Sequence, residues 1–187
     1  MKVAVYDAGH YSGWAGNSWL TGGRLCRALK KFDLVIPVLL WDQVYSELQR
    51  LPDGVITDLQ IWCHGFAGGV VLGREVISGS NINPPFWHGI TRKVSRFGRV
   101  WFRSSGTFAG IEGQAFAKKI ANTMDRKVVG HTHAISFFQS GLREIRPGLQ
   151  TTWSVTEGVR ARKGNYVELK TSGLFAPSTV TCLHTDF

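Results

Sequence analysis

Short apolar runs alternate with helix-length segments along the first 130 residues, and this alternation limits the fold more than any other feature. Strands are predicted at residues 2–6, 33–40, 58–63, 99–103 and 127–130. Helices are predicted at about 18–31, 41–51, 86–97 and 110–124, from apolar residues spaced three and four apart. Strands that alternate with helices form a mainly parallel sheet with helices on both faces. The sequence therefore predicts a three-layer α/β/α domain.

The pattern changes after Gly141. Short strand-like runs at 151–156, 166–170 and 178–184 are separated by Gly and Pro turns and have no helical period. We expect one domain over residues 1–187, with a core over about 1–141 and a β-rich extension over about 142–187. The extension could continue the sheet with antiparallel strands or form a flap over a site.

Charge and composition exclude several classes of protein. Lys and Arg number 22 against 13 Asp and Glu, a net charge of +9 that suits acidic partners such as nucleic acid. The basic residues are scattered and no nucleic-acid-binding motif accompanies them, so we expect a solvated basic surface and no nucleic-acid partner. The absence of a signal-peptide pattern and of any membrane-spanning apolar stretch predicts a cytoplasmic protein without a membrane partner. The odd number of cysteines argues against a disulfide framework.

Polar residues follow two consecutive predicted strands. His64-Gly65 follows the third strand, and Ser104-Ser105-Gly106 follows the fourth. Neighbouring parallel strands end at the same edge of a sheet, about 4.8 Å apart, so an imidazole and a hydroxyl there can approach hydrogen-bonding reach. Backbone N–H groups at Gly65 and Ser105 would face the same space, as an oxyanion hole requires. The predicted catalytic set is therefore His64, Ser105 and Gly65.

Two other patterns have simpler interpretations. Cys63 precedes His64, and successive strand residues point to opposite faces, so we interpret Cys63 as a core residue. His131 and His133 share one face of the fifth strand and could ligate a metal. No third ligand accompanies them, so we expect them to line a polar cleft, and we expect neither a metal nor another cofactor.

The two motifs together resemble the caspase-like fold of caspases, gingipains and clostripain. In that family the catalytic His stands in a His-Gly pair after one strand and the catalytic Cys follows the next. The sequence is most similar to the caspase-like domain near the start of large bacterial surface proteins. Its first motif resembles His64-Gly65-x-x-Gly68 with Leu72-Gly73, and its second resembles the segment with Gly110 and Gly113. The resemblance covers roughly residues 55–135 and implies a cysteine endopeptidase with a His-Cys dyad.

The resemblance also implies the partner and the substrate-binding residues. The partner would be a peptide or protein substrate, which could be the chain itself. In the family, the loop after the first strand and the end of the fifth strand shape the pocket for the substrate side chain. Here these positions hold Asp7, His10, His131 and His133, with Ser104 beside the nucleophile position. None of them sets a clear side-chain preference, and the sequence leaves the oligomeric state open.

Ser105 stands where the resemblance places the nucleophilic Cys. A thiol ionises near neutral pH and is strongly nucleophilic, whereas a serine hydroxyl needs a base oriented by a third group. We therefore expect little peptidase activity. Three explanations stay open: an engineered inactivating change, a natural pseudoenzyme that binds without cutting, and a serine nucleophile supported by an acid such as Asp7.

A second class of enzyme shares part of the pattern. The segment H-G-F-A-G-G resembles the oxyanion segment of α/β-hydrolase lipases and esterases. Those enzymes carry their serine in a Gly-x-Ser-x-Gly turn, and R-S-S-G-T does not fit that turn. A non-catalytic binding module is the third class, which the serine at position 105 keeps open.

Overall fold

The computed structural model describes residues 1–9, 25–26, 28–136, 138–164, 166–173 and 179–180. The strands are β1 (Lys2–Asp7), β2 (Leu34–Val38), β3 (Ile56–Trp62), β4 (His64–Phe66), β5 (Gly69–Leu72), β6 (Glu75–Ser78), β7 (Val94–Phe102), β8 (Lys127–His131), β9 (Phe138–Gln139), β10 (Leu142–Ile145), β11 (Val159–Lys163), β12 (Tyr166–Leu169) and β13 (Thr179–Val180). The helices are α1 (Trp41–Gln49), α2 (Pro84–Thr91) and α3 (Gly110–Met124).

A six-stranded sheet with the order β10-β8-β7-β3-β1-β2 forms the centre of the fold. Its neighbouring strands pair in parallel except for β10, which runs antiparallel to β8 at one edge. Three small antiparallel sheets accompany it: β4-β5-β6, β11-β12 and β9-β13. The predicted mainly parallel α/β architecture with a β-rich extension is confirmed.

The two faces of the central sheet pack differently. On one face, α1, α2 and α3 bury apolar residues such as Leu48, Trp87 and Phe116 against Val5 and other apolar strand residues. On the other face, Cys26 and Phe32 pack against Tyr6 and Trp62. Of the helix predicted at about 18–31, Leu25, Cys26 and Ala28 are helical and 29–31 are not, while 18–24 and 27 lie outside the described residues. The large apolar core thus lies between the sheet and the three helices.

Helix α3 has the predicted bounds, and its sequence accounts for its close packing and for its C-terminal end. Gly113 lies so close to the Phe108 backbone that no side chain fits there. Phe116, Ile120 and Met124 are buried on the inward side, as their spacing predicts. The helix ends at Asp125, which adopts the left-handed conformation (φ 47°) typical of a residue after a helix.

The predicted helix at 86–97 was wrong in its second half. Helix α2 ends at Thr91, and the chain is already in β7 from Val94. Ile56 of β3 pairs with Val94, whereas Asp58 pairs with Arg99, so the intervening residues of β7 bulge out of the sheet. Phe97 lies on this bulge with 91% of its surface exposed. The spacing of apolar residues up to Phe97 fits a helix, but pairing with β3 makes this segment a strand instead.

The predicted strand at 151–156 was also wrong. This segment forms bends and turns, and Trp153 anchors it by donating a hydrogen bond from Nε1 to the Phe108 carbonyl oxygen over 3.0 Å. The Trp153 ring stacks on the Phe108 ring, with centroids 5.6 Å apart. Burial of the Trp153 ring, rather than pairing with another strand, therefore holds this segment in place. Of the strand predicted at 178–184, the structure describes residues 179–180, which form β13.

The prediction against disulfide bonds was not fully correct. Cys26 is disulfide-bonded, so the odd number of cysteines was a poor guide: two can pair while one stays reduced. Cys63 is free and buried.

Within the described ranges, no helix is long and apolar enough to cross a membrane.

Candidate active site

The two predicted motifs meet at the carboxyl edge of the sheet. β3 and β7 are parallel neighbours, with Ile61 opposite Phe102, so the segments after them begin side by side. A Cβ atom added to Gly65 would lie 2.5 Å from the Ser105 carbonyl oxygen and 2.9 Å from the Ser104 Cβ. Both distances are closer than van der Waals contact allows. The glycine after His64 therefore lets the two segments touch.

His64 opens the small antiparallel sheet, where it pairs with Val71. Its side chain is half-buried, and burial lowers the pKa of the imidazole below its usual value, while attraction to Asp7 acts in the opposite direction. A lowered pKa keeps the ring neutral at neutral pH. A neutral imidazole is the form that can accept a proton from a nucleophile.

Asp7 ends β1 and is 2% exposed. Its Oδ1 accepts a hydrogen bond from Gly9 N over 2.8 Å, and its Oδ2 accepts one from Gly73 N over 2.9 Å. Gly73 adopts a positive φ of 59° directly after β5, in the small sheet that carries His64. The carboxylate therefore joins the end of β1 to that sheet and adds negative charge near the imidazole.

Ser105 is bound to the loop that follows β8. Its Oγ accepts a hydrogen bond from Ile135 N over 3.1 Å and lies 3.5 Å from Ile135 O. The next residue, Gly106, donates from its backbone N to His133 O over 2.9 Å. In the described part of the chain, the Ser105 hydroxyl is thus engaged with Ile135 rather than with His64.

The β11–β12 hairpin covers the segment after Ser105. Gly106 has a positive φ of 62°, and any side chain on it would collide with Leu169 of β12. Arg162 of β11 forms two hydrogen bonds with Glu112 of α3, over 2.8 and 2.7 Å. β10 therefore continues the central sheet in antiparallel orientation, and the β11–β12 hairpin packs against Gly106 and α3.

The other predicted site residues lie in different environments. Ser104 is 1% exposed, and its hydroxyl is 2.5 Å from Thr107 Oγ1. His131 is fully buried, and burial lowers its pKa to about 3. His133 is half-buried with Nδ1 3.0 Å from Thr132 Oγ1; burial lowers its pKa, and attraction to Glu157 opposes this shift. His10 lies outside the described residues. The structure thus brings His64 near Asp7, places the segment of Ser105 against Gly65, and holds Ser104 and His131 in the interior.

Cys63 is a core residue, as its position beside His64 predicts. It is 1% exposed, and burial raises the pKa of its thiol far above the usual value, so it stays protonated. No group of three His, Cys, Asp or Glu side chains that could hold a metal ion occurs among the residues that the structure describes.

A buried polar network below this edge was missed by the sequence analysis. Asp58 binds Arg99 through both carboxylate oxygens, each at 2.9 Å, and accepts a bond from Gln60 Nε2 over 3.1 Å. The Arg103 guanidinium lies over the rings of Trp62 and Trp101, with centroid distances of 5.1 and 4.8 Å. The sequence did contain a sign of this polar network, because polar or amphipathic residues occupy every second position of D-L-Q-I-W and R-V-W-F-R.

Comparison with known proteins does not assign this chain to a family. The sequence matches no protein-family model, and it matches no curated protein. The resemblance to caspase-like peptidases therefore stays a prediction that depends on the two motifs. Any functional assignment must be argued from the geometry of the site.

Proposed function

We propose that this chain is a caspase-like cysteine-peptidase domain with a serine at the nucleophile position, and that in this form it binds a peptide without cleaving it. The supporting observation is the contact between Gly65 and Ser105 at the carboxyl edge of two neighbouring parallel strands. This contact joins the segment that carries His64, whose imidazole is half-buried and neutral at neutral pH, to the segment that carries Ser105. Such an arrangement is suited to acyl transfer once the nucleophile is a thiol.

In a Ser105→Cys protein the residues would act in a fixed order. His64 takes the thiol proton, and the thiolate forms a bond to the carbonyl carbon of the peptide. Backbone N–H groups of Gly65 and residue 105 stabilise the resulting oxyanion. The C–N bond then breaks as His64 returns the proton to the leaving amine. Water hydrolyses the thioester with His64 as base, which releases the acid and restores the thiol.

Two observations argue against efficient cleavage by the serine itself. The Ser105 hydroxyl is engaged with the Ile135 backbone. The Asp7 carboxylate accepts its described hydrogen bonds from Gly9 N and Gly73 N, so these bonds do not orient His64. A serine hydroxyl needs a base held by such an oriented acid.

A serine hydrolase is the second candidate, and one observation favours it. Asp7 is close enough to His64 to raise the pKa of the imidazole by electrostatic attraction. Asp7, His64 and Ser105 together have the residue types of a catalytic triad. A fluorophosphonate probe distinguishes the two candidates, because it labels an activated serine and not an inert one.

The deciding experiment compares the serine protein with Ser105→Cys on a peptide library, on the protein itself and with a thiol-reactive peptide probe. We expect Ser105→Cys to cleave and to be labelled, and the serine protein to bind the same peptides. The double variant Ser105→Cys, His64→Ala is the control, and we expect it to lose roughly 10²–10⁴-fold in rate because the base is gone. If Ser105→Cys neither cleaves any peptide nor reacts with the probe, the proposal fails.

A further inference from the structure

The β11–β12 hairpin is bound at both of its ends to the loop that follows β8. After β12, Ala134 N donates a hydrogen bond to Lys170 O over 2.9 Å, and Ser172 N donates one to Ala134 O over 2.8 Å. Before β11, Gly158 lies so close to the Thr132 carbonyl oxygen that no side chain fits there. The position of the hairpin and the position of this loop therefore depend on each other.

The same loop holds the residue at the nucleophile position. Ile135, the residue after Ala134, donates a hydrogen bond from its backbone N to Ser105 Oγ over 3.1 Å. Gly106 donates one from its backbone N to the carbonyl oxygen of His133, the residue before Ala134, over 2.9 Å. Consecutive residues of one loop thus connect the hairpin to the Ser105 hydroxyl.

Each strand of the hairpin also contacts the segment that follows Ser105. Leu169 of β12 packs on Gly106, where its side chain occupies the space that a Cβ atom would need. Arg162 of β11 donates two hydrogen bonds to the Glu112 carboxylate of α3, over 2.8 and 2.7 Å. The side chains of this ion pair are 40% and 45% exposed. An exposed ion pair is weak and is screened by salt, so this contact can open without unfolding of the core.

We propose that the β11–β12 hairpin is an autoinhibitory element that keeps residue 105 bound to Ile135 while the hairpin is closed and releases it toward His64 when the hairpin opens. This inference rests on the proposed function, because it concerns the regulation of the same site. Opening separates Arg162 from Glu112 and frees the loop after β8, so the bond from Ile135 to the Ser105 hydroxyl is lost together with the bonds of the hairpin. A contact that is present only in the closed form sets the ratio of the two forms.

Hydrogen exchange of the serine protein, measured for each amide by NMR, tests this coupling. A bonded N–H exchanges only when its bond opens, so the amides of Ala134 and Ser172 report the hairpin. The amide of Ile135 reports release of the Ser105 hydroxyl. We expect these three amides to share one opening constant. It should exceed that of Leu59, which is fully buried in the centre of the sheet and opens only with the whole domain.

Breaking the ion pair should shift the protein toward the open form. In Arg162→Gln we expect the three amides to exchange about three- to fivefold faster, the factor that corresponds to loss of an exposed ion pair. Salt should accelerate them in the original protein but not in this variant. The charge swap Arg162→Glu with Glu112→Arg should return the rates to within about twofold of the original. Arg160→Gln is the matched control and should leave the rates unchanged, because Arg160 pairs with Glu168 inside the hairpin.

The effect on the site is measured in the Ser105→Cys protein with the thiol-reactive peptide probe. Adding Arg162→Gln should raise the labelling rate by the same factor as the exchange rates, because only the open form presents residue 105 to His64. An unchanged or lower labelling rate, at faster exchange, would show that the hairpin does not inhibit the site.

The outcomes separate this inference from the proposed function. Faster exchange of Ala134 and Ser172 with unchanged exchange of Ile135 overturns the coupling between the hairpin and residue 105, and the proposed function stands. If the three amides open together but Ser105→Cys does not react with the probe, either alone or with Arg162→Gln, the proposed function fails and the inhibitory role fails with it.

Discussion

Gly65 and Ser105 lie in direct contact, so close that a methyl group on Gly65 would stand 2.5 Å from the Ser105 carbonyl oxygen. The contact joins residues 40 positions apart in the chain, at the ends of two parallel strands. Thr107 Oγ1 would be 2.7 Å from the same methyl group. A side chain at position 65 would therefore separate the histidine segment from the serine segment, so the geometry of the candidate site depends on this glycine.

Replacing Gly65 by Ala should destabilise the protein and disturb the site. The added methyl group meets backbone oxygen and packed side chains, and such overpacking costs about 1–3 kcal/mol. The measurement is the free energy of unfolding in urea. Gly79→Ala is the matched control, because Gly79 has nothing within 4 Å of its Cβ position, and it should change stability by less than about 0.5 kcal/mol. Equal effects of the two changes would contradict the contact.

Replacing Asp7 by Asn should lower the pKa of His64 further. The Asp7 carboxylate favours the charged imidazolium, so its loss leaves burial as the dominant cause of the shift. The NMR chemical shift of the His64 ring, followed against pH, measures this directly. Asp125→Asn, at a residue whose side chain is 86% exposed, is the control and should leave the His64 titration unchanged. A rise in the His64 pKa in Asp7→Asn would refute the assignment.

Acid should destabilise the fold through His131. Its folded-state pKa of about 3 lies below the unfolded value of about 6.5, so the unfolded chain binds the proton first. Stability from this group is therefore complete above about pH 6.5 and falls as the pH decreases toward 3, by about 2 kcal/mol between pH 7 and pH 5. Urea unfolding at several pH values measures the slope. In His131→Gln the slope should be smaller, and an unchanged slope would show that other groups cause it.

The β7 bulge predicts opposite effects for two phenylalanines. Phe97 is almost fully exposed, so Phe97→Ser should change the free energy of unfolding by less than about 0.5 kcal/mol. Phe102 is fully buried between Trp87 and Phe116, so Phe102→Ala should cost about 3–5 kcal/mol. Thermal or urea unfolding of the two variants provides the comparison. A large loss in Phe97→Ser would favour a helix that buries this residue.

The spacing of apolar residues predicted much of the fold because helices and strands depend largely on residues that are close together in the chain. The inward residues of α3 repeat with a helical period, and the bounds of that helix followed from the sequence. The same reasoning extended α2 to Phe97, because Phe86, Ile90, Val94 and Phe97 also fit a helical period. What ends that helix is the pairing of Val94 with Ile56, a contact between distant parts of the chain. Apolar spacing carries no information about such pairing.

The candidate site was predictable to the extent that it follows from strand ends. Parallel neighbours bring their carboxyl ends together, and this rule alone placed the His64 segment beside the Ser105 segment. Other features depend on long-range contacts, such as the bond of Asp7 to Gly73, 66 residues away. Arg103 was missed because a charged residue at the end of an apolar run suggests the end of a strand rather than a buried group.

The buried Cys63 gives this protein an internal chemical reference. Its thiol lies in the core and stays protonated, so cysteine reagents should leave it unmodified while the chain is folded. A thiol introduced at position 105 would react in the native state if the site is open to the reagent. One cysteine would then report unfolding and the other would report access to the site, so a single mass spectrum of a labelled sample separates the two events.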